Sequence, residues 1–156
     1  MNKLEFERRC MACAQRLHRI ALAILTREAD CEDAVQEALV RAWMGLKKLR
    51  EPQYFETWLC RILINECKRA LRQRKRQATA ELRDILPAPD PPDPRLWDAL
   101  RRLQVQYRLP LTLHHGEGYS IAQCAQMLNL PQSTVKWRIH QGKKALAELL
   151  KEEVEA

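Results

Sequence analysis

Glycine and aromatic residues are scarce in this chain. There are four glycines in 156 residues, and Phe, Trp and Tyr together make up 6%. Strands draw on aromatic and β-branched residues and tight hairpins on glycine, so the scarcity argues for helices over sheets. No apolar run approaches the roughly 20 residues that a membrane-spanning helix needs. No signal peptide is visible over residues 1–10. A cytoplasmic protein without membrane insertion is the expectation. There is no phosphate-cradling glycine loop, no His and carboxylate at a fixed spacing and no nucleophile motif. Enzymatic activity is therefore not expected. Cysteine is not scarce: Cys10, Cys13, Cys31, Cys60, Cys67 and Cys124 make six. Disulfides are rare in the cytoplasm. Only Cys10 and Cys13 have a metal-like spacing, and no second Cys or His pair follows at zinc-finger distance. Both also fall on a helical apolar stripe, so they are expected to pack, with no metal or other cofactor.

The charge balance points to a partner. The formal net charge is +7 and the isoelectric point is near 9.3, which favours a polyanion, though charge alone does not separate nucleic acid from an anionic membrane. Hydrophobic residues make up 46% of the 156, enough for one ordinary domain or two small ones. The most informative stretch runs from Tyr119 to Leu150. Ser120 and Gln123 have the spacing of a capping box, with Tyr119 and Cys124 placed as its hydrophobic staple. Ile121, Cys124, Ala125 and Leu128 share one face of the helix that follows. Asn129 can end it in the left-handed conformation, and Pro131 can open the next. In that second helix Val135, Ile139, Gly142, Leu146 and Leu149 form a buried face. Ser133, Lys136, Trp137, His140, Lys143 and Lys144 form the opposite one, which carries no acid. A helix-turn-helix needs such a pair, the first helix bracing and the second presenting its N-terminal residues to base edges in the major groove. Ser133, Thr134, Lys136, Trp137, Arg138 and His140 lie in its first two turns.

Upstream, residues 4–26 read as one helix, with Cys10, Ala14, Leu17, Ala21, Ile24 and Leu25 inward. Asp30 is placed to cap the next helix, which runs to about Leu46 with Val35, Ala38, Leu39, Ala42 and Leu46 inside. Asp33, Gln36, Glu37 and Val40 share another of its faces. Acids in a first turn offset the helix dipole, but Gln36 and Glu37 lie beyond that turn. A polar connection, residues 46–53, leads to a long helix from about Tyr54 to Gln77 whose apolar side is Phe55, Trp58, Leu59, Ile62, Leu63 and Cys67. From Lys47 to Arg76 there are ten Lys or Arg and three Glu, a net of +7. A phosphate backbone along this helix accounts for such a run better than dipole compensation alone. Five of the eight prolines fall in residues 87–94, which marks residues 78–94 as a linker between helical domains at 1–77 and 95–156. The second domain is expected to open with a helix over residues 95–107, then a short one over 109–115 that Pro110 starts.

These features together resemble a bacterial sigma factor of the extracytoplasmic-function (ECF) group in the sigma-70 family. DCEDAVQEALVRAW is similar to the family's polymerase-binding segment, FETWLCRILINECKRALRQRKR to its promoter-melting and minus-ten segment, and EGYSIAQCAQMLNLPQSTVKWRI to its minus-thirty-five helix-turn-helix. The resemblance implies an all-α fold of two small helical domains. It implies that Asp33, Gln36, Glu37 and Val40 bind core RNA polymerase. Lys47, Lys48, Arg50, Asn65, Lys68, Arg69, Arg72 and Arg76 would hold minus-ten promoter DNA, with residues 47–53 capturing an extruded base. Ser133, Thr134, Lys136, Trp137, Arg138, His140 and Lys143 would read the minus-thirty-five element. An anti-sigma factor is a further partner it allows. Departures from the family pattern at Glu51, Pro52, Cys124, Ser133, Trp137 and Gln141 bear on which promoter is read. Two alternatives from other classes are a stand-alone helix-turn-helix regulator, which would bind duplex DNA without polymerase, and a metal or redox sensor using Cys10 and Cys13.

Overall fold

In the computed structural model the described residues are 1–77 and 93–155, with side chains described through residue 74 and again over 93–152. They form two compact units, one within Met1–Pro87 and one within Ala88–Ala156. The fold is all-α: every regular element among the described residues is helical. The expected linker over 78–94 lies, but for its last two residues, outside the described residues.

The first unit holds α1 (Lys3–Ala12), α2 (Ala14–Leu25), α3 (Glu28–Met44) and α4 (Phe55–Gln77). The single helix expected over 4–26 is broken at Cys13, whose φ of −111° and ψ of 9° leave the helical range. An uninterrupted helix would bond the Cys13 amide to the Arg9 carbonyl. Here that carbonyl accepts from the Cys13 thiol at 3.3 Å, and the amide turns to Cys10 O. The stripe crosses the break with one change: Cys10, Leu17, Ala21, Ile24 and Leu25 are buried as expected, but Ala14 is exposed and Cys13 is buried in its place.

The cap expected at Asp30 is not formed. Arg27 occupies the N-cap without a side-chain bond, and Glu28 and Asp30 sit in the first turn of α3, where acids offset the dipole. Asp30 pairs with Arg74 at 3.3 Å, and Arg74 also donates to Leu25 O at 3.2 Å. One cation of the basic run thus ties the end of α2 to the start of α3.

The centre of the α3 inner face is Cys31, Ala34, Ala38 and Ala42; Val35 and Leu39 are only half-buried at its edges, and Leu46, also half-buried, lies beyond the helix, which ends at Met44. Small residues let helices approach closely, and opposite them α4 buries Phe55, Leu59, Cys60, Leu63, Ile64 and Cys67. Burial pushes the Cys31 and Cys67 thiols up to about 12, and those of Cys10 and Cys13 to about 11, so these groups stay protonated at neutral pH.

The second unit holds α5 (Pro94–Arg102), α6 (Val105–Leu111), α7 (Ile121–Leu128) and α8 (Gln132–Glu155). Asp93 caps α5 by accepting from the Arg95 and Leu96 amides. The helix expected over 95–107 stops at Arg102, and Leu103 is extended. Arg108 accounts for the stop. Its buried guanidinium donates to Leu103 O at 2.8 Å and Arg101 O at 3.3 Å, satisfying carbonyls that a helix end leaves open. Burial, with Arg101 adding to it, lowers this group to about 10, so it remains charged. Pro110 sits inside α6 rather than at its start. The amide it lacks would bond the carbonyl of Gln106, which belongs to an exposed residue. A π-helical turn, Thr112–Gly116, follows.

The expected capping box is formed, with Ser120 Oγ accepting from the Gln123 amide at 3.1 Å and Gln123 Oε1 from the Ser120 amide at 2.9 Å. Asn129 ends α7 at φ 55°. Pro131 stands one place before α8 rather than inside it, and its carbonyl accepts from the Val135 amide at 3.1 Å.

Gly142 is where α8 meets α6. A Cβ there would lie 3.3 Å from Tyr107 O and 3.5 Å from Tyr107 Cβ. Alanine gains about 1 kcal/mol of helix propensity and loses a similar amount against that carbonyl, so Gly142→Ala should be nearly neutral. Gly142→Leu must push the two helices apart, at a cost of about 3 kcal/mol. Amide hydrogen exchange of the full chain checks this: protection over α6 and α8 should fall in the Leu variant and hold in the Ala variant.

Candidate functional site

Three surfaces carry the residues singled out from the sequence. The first lies on α3. Asp33, Gln36, Glu37 and Val40 are all exposed, and Val40 keeps 53% of its surface in solvent. A branched apolar residue left open beside two carboxylates and an amide contributes nothing to the core packing described above. Glu37 pairs along the helix with Arg41 at 3.3 Å, and its side chain remains 54% exposed.

The second surface spans the connection and α4. Lys47, Lys48 and Arg50 are exposed, as are Asn65, Lys68, Arg69 and Arg72, which recur at steps of three and four and so share a flank. Arg76 falls in the last turn of α4, where side chains lie outside the described residues. Between this flank and α3 runs a groove with Val40, Met44 and Lys48 on one wall and Trp58, Ile62 and Asn65 on the other. Trp58 is half-buried, packs against the Phe55 ring at 6.1 Å and also lines this groove.

Two features here escaped the sequence reading. Glu66 is only 7% exposed, below the groove, and pairs with Arg41 at 2.6 Å and Arg69 at 3.5 Å. Its signal was present: Leu59, Leu63 and Glu66 continue one stripe, so a carboxylate stands where an apolar residue is due. Arg9 of α1 is the other. It donates to Pro52 O at 2.7 Å and lies over the Phe55 ring at 5.8 Å, fastening the end of the connection to α1. Forty-three residues separate the partners, and no local pattern reveals such a contact.

The third surface is on α8. Ser133, Lys136, Trp137, His140 and Lys143 are exposed, while Thr134 and Arg138 are half-buried. Trp137 is 55% exposed and its ring lies 6.3 Å from that of Tyr107, so it covers α6 with one part and meets solvent with the other. Behind this face, Val135, Ile139 and Gly142 are buried as their spacing requires, while Leu146 and Leu149, expected on the same buried face, are only half-buried. His114 and His115 touch each other in a T-shaped contact at 4.7 Å, and His114 Nδ1 lies 2.6 Å from Tyr119 O. No group of three or more His, Cys, Asp or Glu that could hold a metal occurs among the described residues. None of the described helices is long and apolar enough to cross a membrane.

Known proteins are similar to this chain in sequence and fold. The family model Sigma-70 region 2 matches residues 11–77, and the model Sigma-70, region 4 matches residues 94–146. The chain is 35% identical over 141 residues to the ECF RNA polymerase sigma factor SigM of Mycobacterium tuberculosis, covering 87% of this chain and 72% of that one. It is 30% identical over 150 residues to the ECF RNA polymerase sigma factor SigE of Mycolicibacterium smegmatis, covering 88% and 58%. Its fold matches that of the sigma factor RpoE of Bartonella quintana, solved in complex with the anti-sigma factor NepR, with a TM-score of 0.83 at 23% identity over 94% of this chain and 97% of that one. On the two family models and the relatives that span both, the chain belongs to the ECF group of sigma-70-family RNA polymerase sigma factors.

Proposed function

We propose that the chain works as a non-enzymatic initiation factor in the cytoplasm, with its labour divided among the three surfaces. Asp33, Gln36, Glu37 and Val40 bind core RNA polymerase. The cationic flank of α4, with the connection before it, holds the minus-ten region as it opens. The outer face of α8 reads the minus-thirty-five element. An anti-sigma factor is a partner of the same chain, as one is of the RpoE protein with the matching fold. The domains that go with this division are those expected at 1–77 and 95–156, the second extended by Asp93 and Pro94, which cap and open α5 rather than ending the linker. The observation that carries the reading is the separation of charge on one unit. The α3 face is acidic and exposed, the α4 flank is cationic and exposed, and neither belongs to the packed core. An acidic face repels DNA and suits a basic, arginine-bearing protein surface; a cationic flank does the reverse.

The direct test mixes the full chain with core polymerase and assays promoter-directed initiation on promoters recovered by selection from genomic DNA. Initiation should require the chain. Binding of the chain to such promoters as a dimer, without polymerase, would support the stand-alone regulator instead. For the α8 face, Lys136→Ala should weaken binding to the upstream element by about 1–3 kcal/mol where the contact is to a base. Arg138→Ala should do less, since Arg138 is half-buried between the two faces. Competition with upstream-element variants measures both; wild-type affinity in the Lys136 variant removes that residue from the reading set.

A further inference from the structure

Glu66 and Arg108 are the buried charged residues among those described. Arg108 closes the end of α5 through the Leu103 and Arg101 carbonyls. Glu66 instead meets two guanidiniums, those of Arg41 at 2.6 Å and Arg69 at 3.5 Å. A buried ion pair is seldom more stable than well-packed apolar residues in its place, so stability is a weak reason for a carboxylate here. Its geometry offers a better one. Arg41 stands on α3 and Arg69 on α4, both line the same groove, and their side chains are 45% and 48% exposed. The closest approach of Arg41 to Glu66, and to Glu37, is through Nε. A guanidinium carries five donors in a planar fork. Holding it at Nε restrains the plane and leaves donors for an acceptor outside the protein, and bidentate phosphate contacts use such a fork. Lys48 and Asn65 line the same groove.

We infer that Glu66 is a positioning residue for the minus-ten surface, and that Arg41, which it holds, is a further contact to a phosphate of the opened DNA strand. This rests on the minus-ten reading of α4 given above. It has a consequence of unusual sign. Removing a carboxylate beneath a DNA-binding surface should tighten DNA binding if only the net charge matters. If Glu66 acts by holding Arg41 and Arg69, its removal should weaken binding.

The test uses the full chain and a short labelled single-stranded DNA of mixed sequence, since phosphate contacts are blind to sequence, with affinity measured across a salt series. Arg41→Ala should lower the steepness of log affinity against log salt by about 0.7, the value of one lost single-strand phosphate contact. Arg41→Lys should restore the slope, because an ammonium still reaches a phosphate as a point charge. Glu66→Gln should bind roughly tenfold more weakly, with thermal unfolding followed alongside. Tighter binding by a folded Glu66→Gln variant, or an unchanged slope in Arg41→Ala, overturns the inference. Should Glu66→Gln not fold, the two Arg41 variants decide alone. The double variant Lys68→Ala with Arg72→Ala separates the two levels. If it loses slope and Arg41→Ala does not, this inference alone fails. If it too keeps the wild-type slope, or the wild type does not bind at low salt, the minus-ten reading fails with it.

Discussion

Replacing Asp33 and Glu37 together with lysine should leave the chain folded and raise its dissociation constant for core RNA polymerase by at least about a hundredfold. Both side chains are exposed on α3, and the helix is anchored by Cys31, Ala34, Ala38 and Ala42 on its other face. The folded state loses one pair along the helix, Glu37 with Arg41, worth about 0.3–0.5 kcal/mol at an exposed site. Arg41 keeps Glu66 as its partner, so the reversal does not orphan a buried charge. Against a basic partner the same change does far more. Each attractive pair becomes a like-charge contact, and such juxtapositions cost several kcal/mol at an interface. Circular dichroism and thermal unfolding establish that the variant is folded, and binding to immobilised core polymerase reads the affinity. Wild-type affinity would return the α3 face to plain solvated surface and favour a regulator that acts without polymerase. Val40→Ala should give a milder loss, since it removes apolar contact without repulsion.

Most of the helix-turn-helix was legible in the sequence because its determinants are local. A capping box needs two residues three apart, a left-handed end needs Asn129, and a stripe needs only its period. The exposed faces of α3, α4 and α8 followed from the same periodicity. What the sequence concealed was non-local or depended on competition between partners. The break at Cys13 turns on a thiol taking a carbonyl from an amide. The stop after Arg102 turns on an arginine six residues downstream folding back onto that helix end. Arg74 lies within a run of cations, and its turn toward Asp30 and Leu25 comes from the placement of α2 and α3. The inner face of α3 was displaced toward alanines because hydrophobicity ranks Val35 and Leu39 higher, whereas close helix packing selects for small side chains. Glu66 was visible as an exception in a stripe, but its partner Arg41 sits on another helix.

The double variant Lys68→Ala with Arg72→Ala should slow open-complex formation roughly thirtyfold while leaving polymerase affinity unchanged. Lys68 and Arg72 stand four apart on the exposed flank of α4, with Asn65 and Arg69 beside them, and this flank looks away from the buried stripe that packs on α3. An opened strand is held by cations along its backbone and by surfaces that receive unpaired bases. Removing two charge-assisted contacts at exposed sites costs about 2 kcal/mol, which sets the thirtyfold figure if they form before the rate-limiting step. The loss should appear in the rate of opening more than in the first encounter, because the α8 face and the polymerase itself still dock the complex. Permanganate footprinting over time reads the melted thymines directly, and a polymerase-binding assay on the same preparation supplies the control. Adding salt should narrow the gap between variant and wild type, as the wild type has more phosphate contacts to lose. Normal footprinting kinetics in the double variant would remove this flank from promoter opening and confine the role of α4 to the structural core. A loss of polymerase affinity in the same variant would instead extend the polymerase interface from α3 across the groove onto α4.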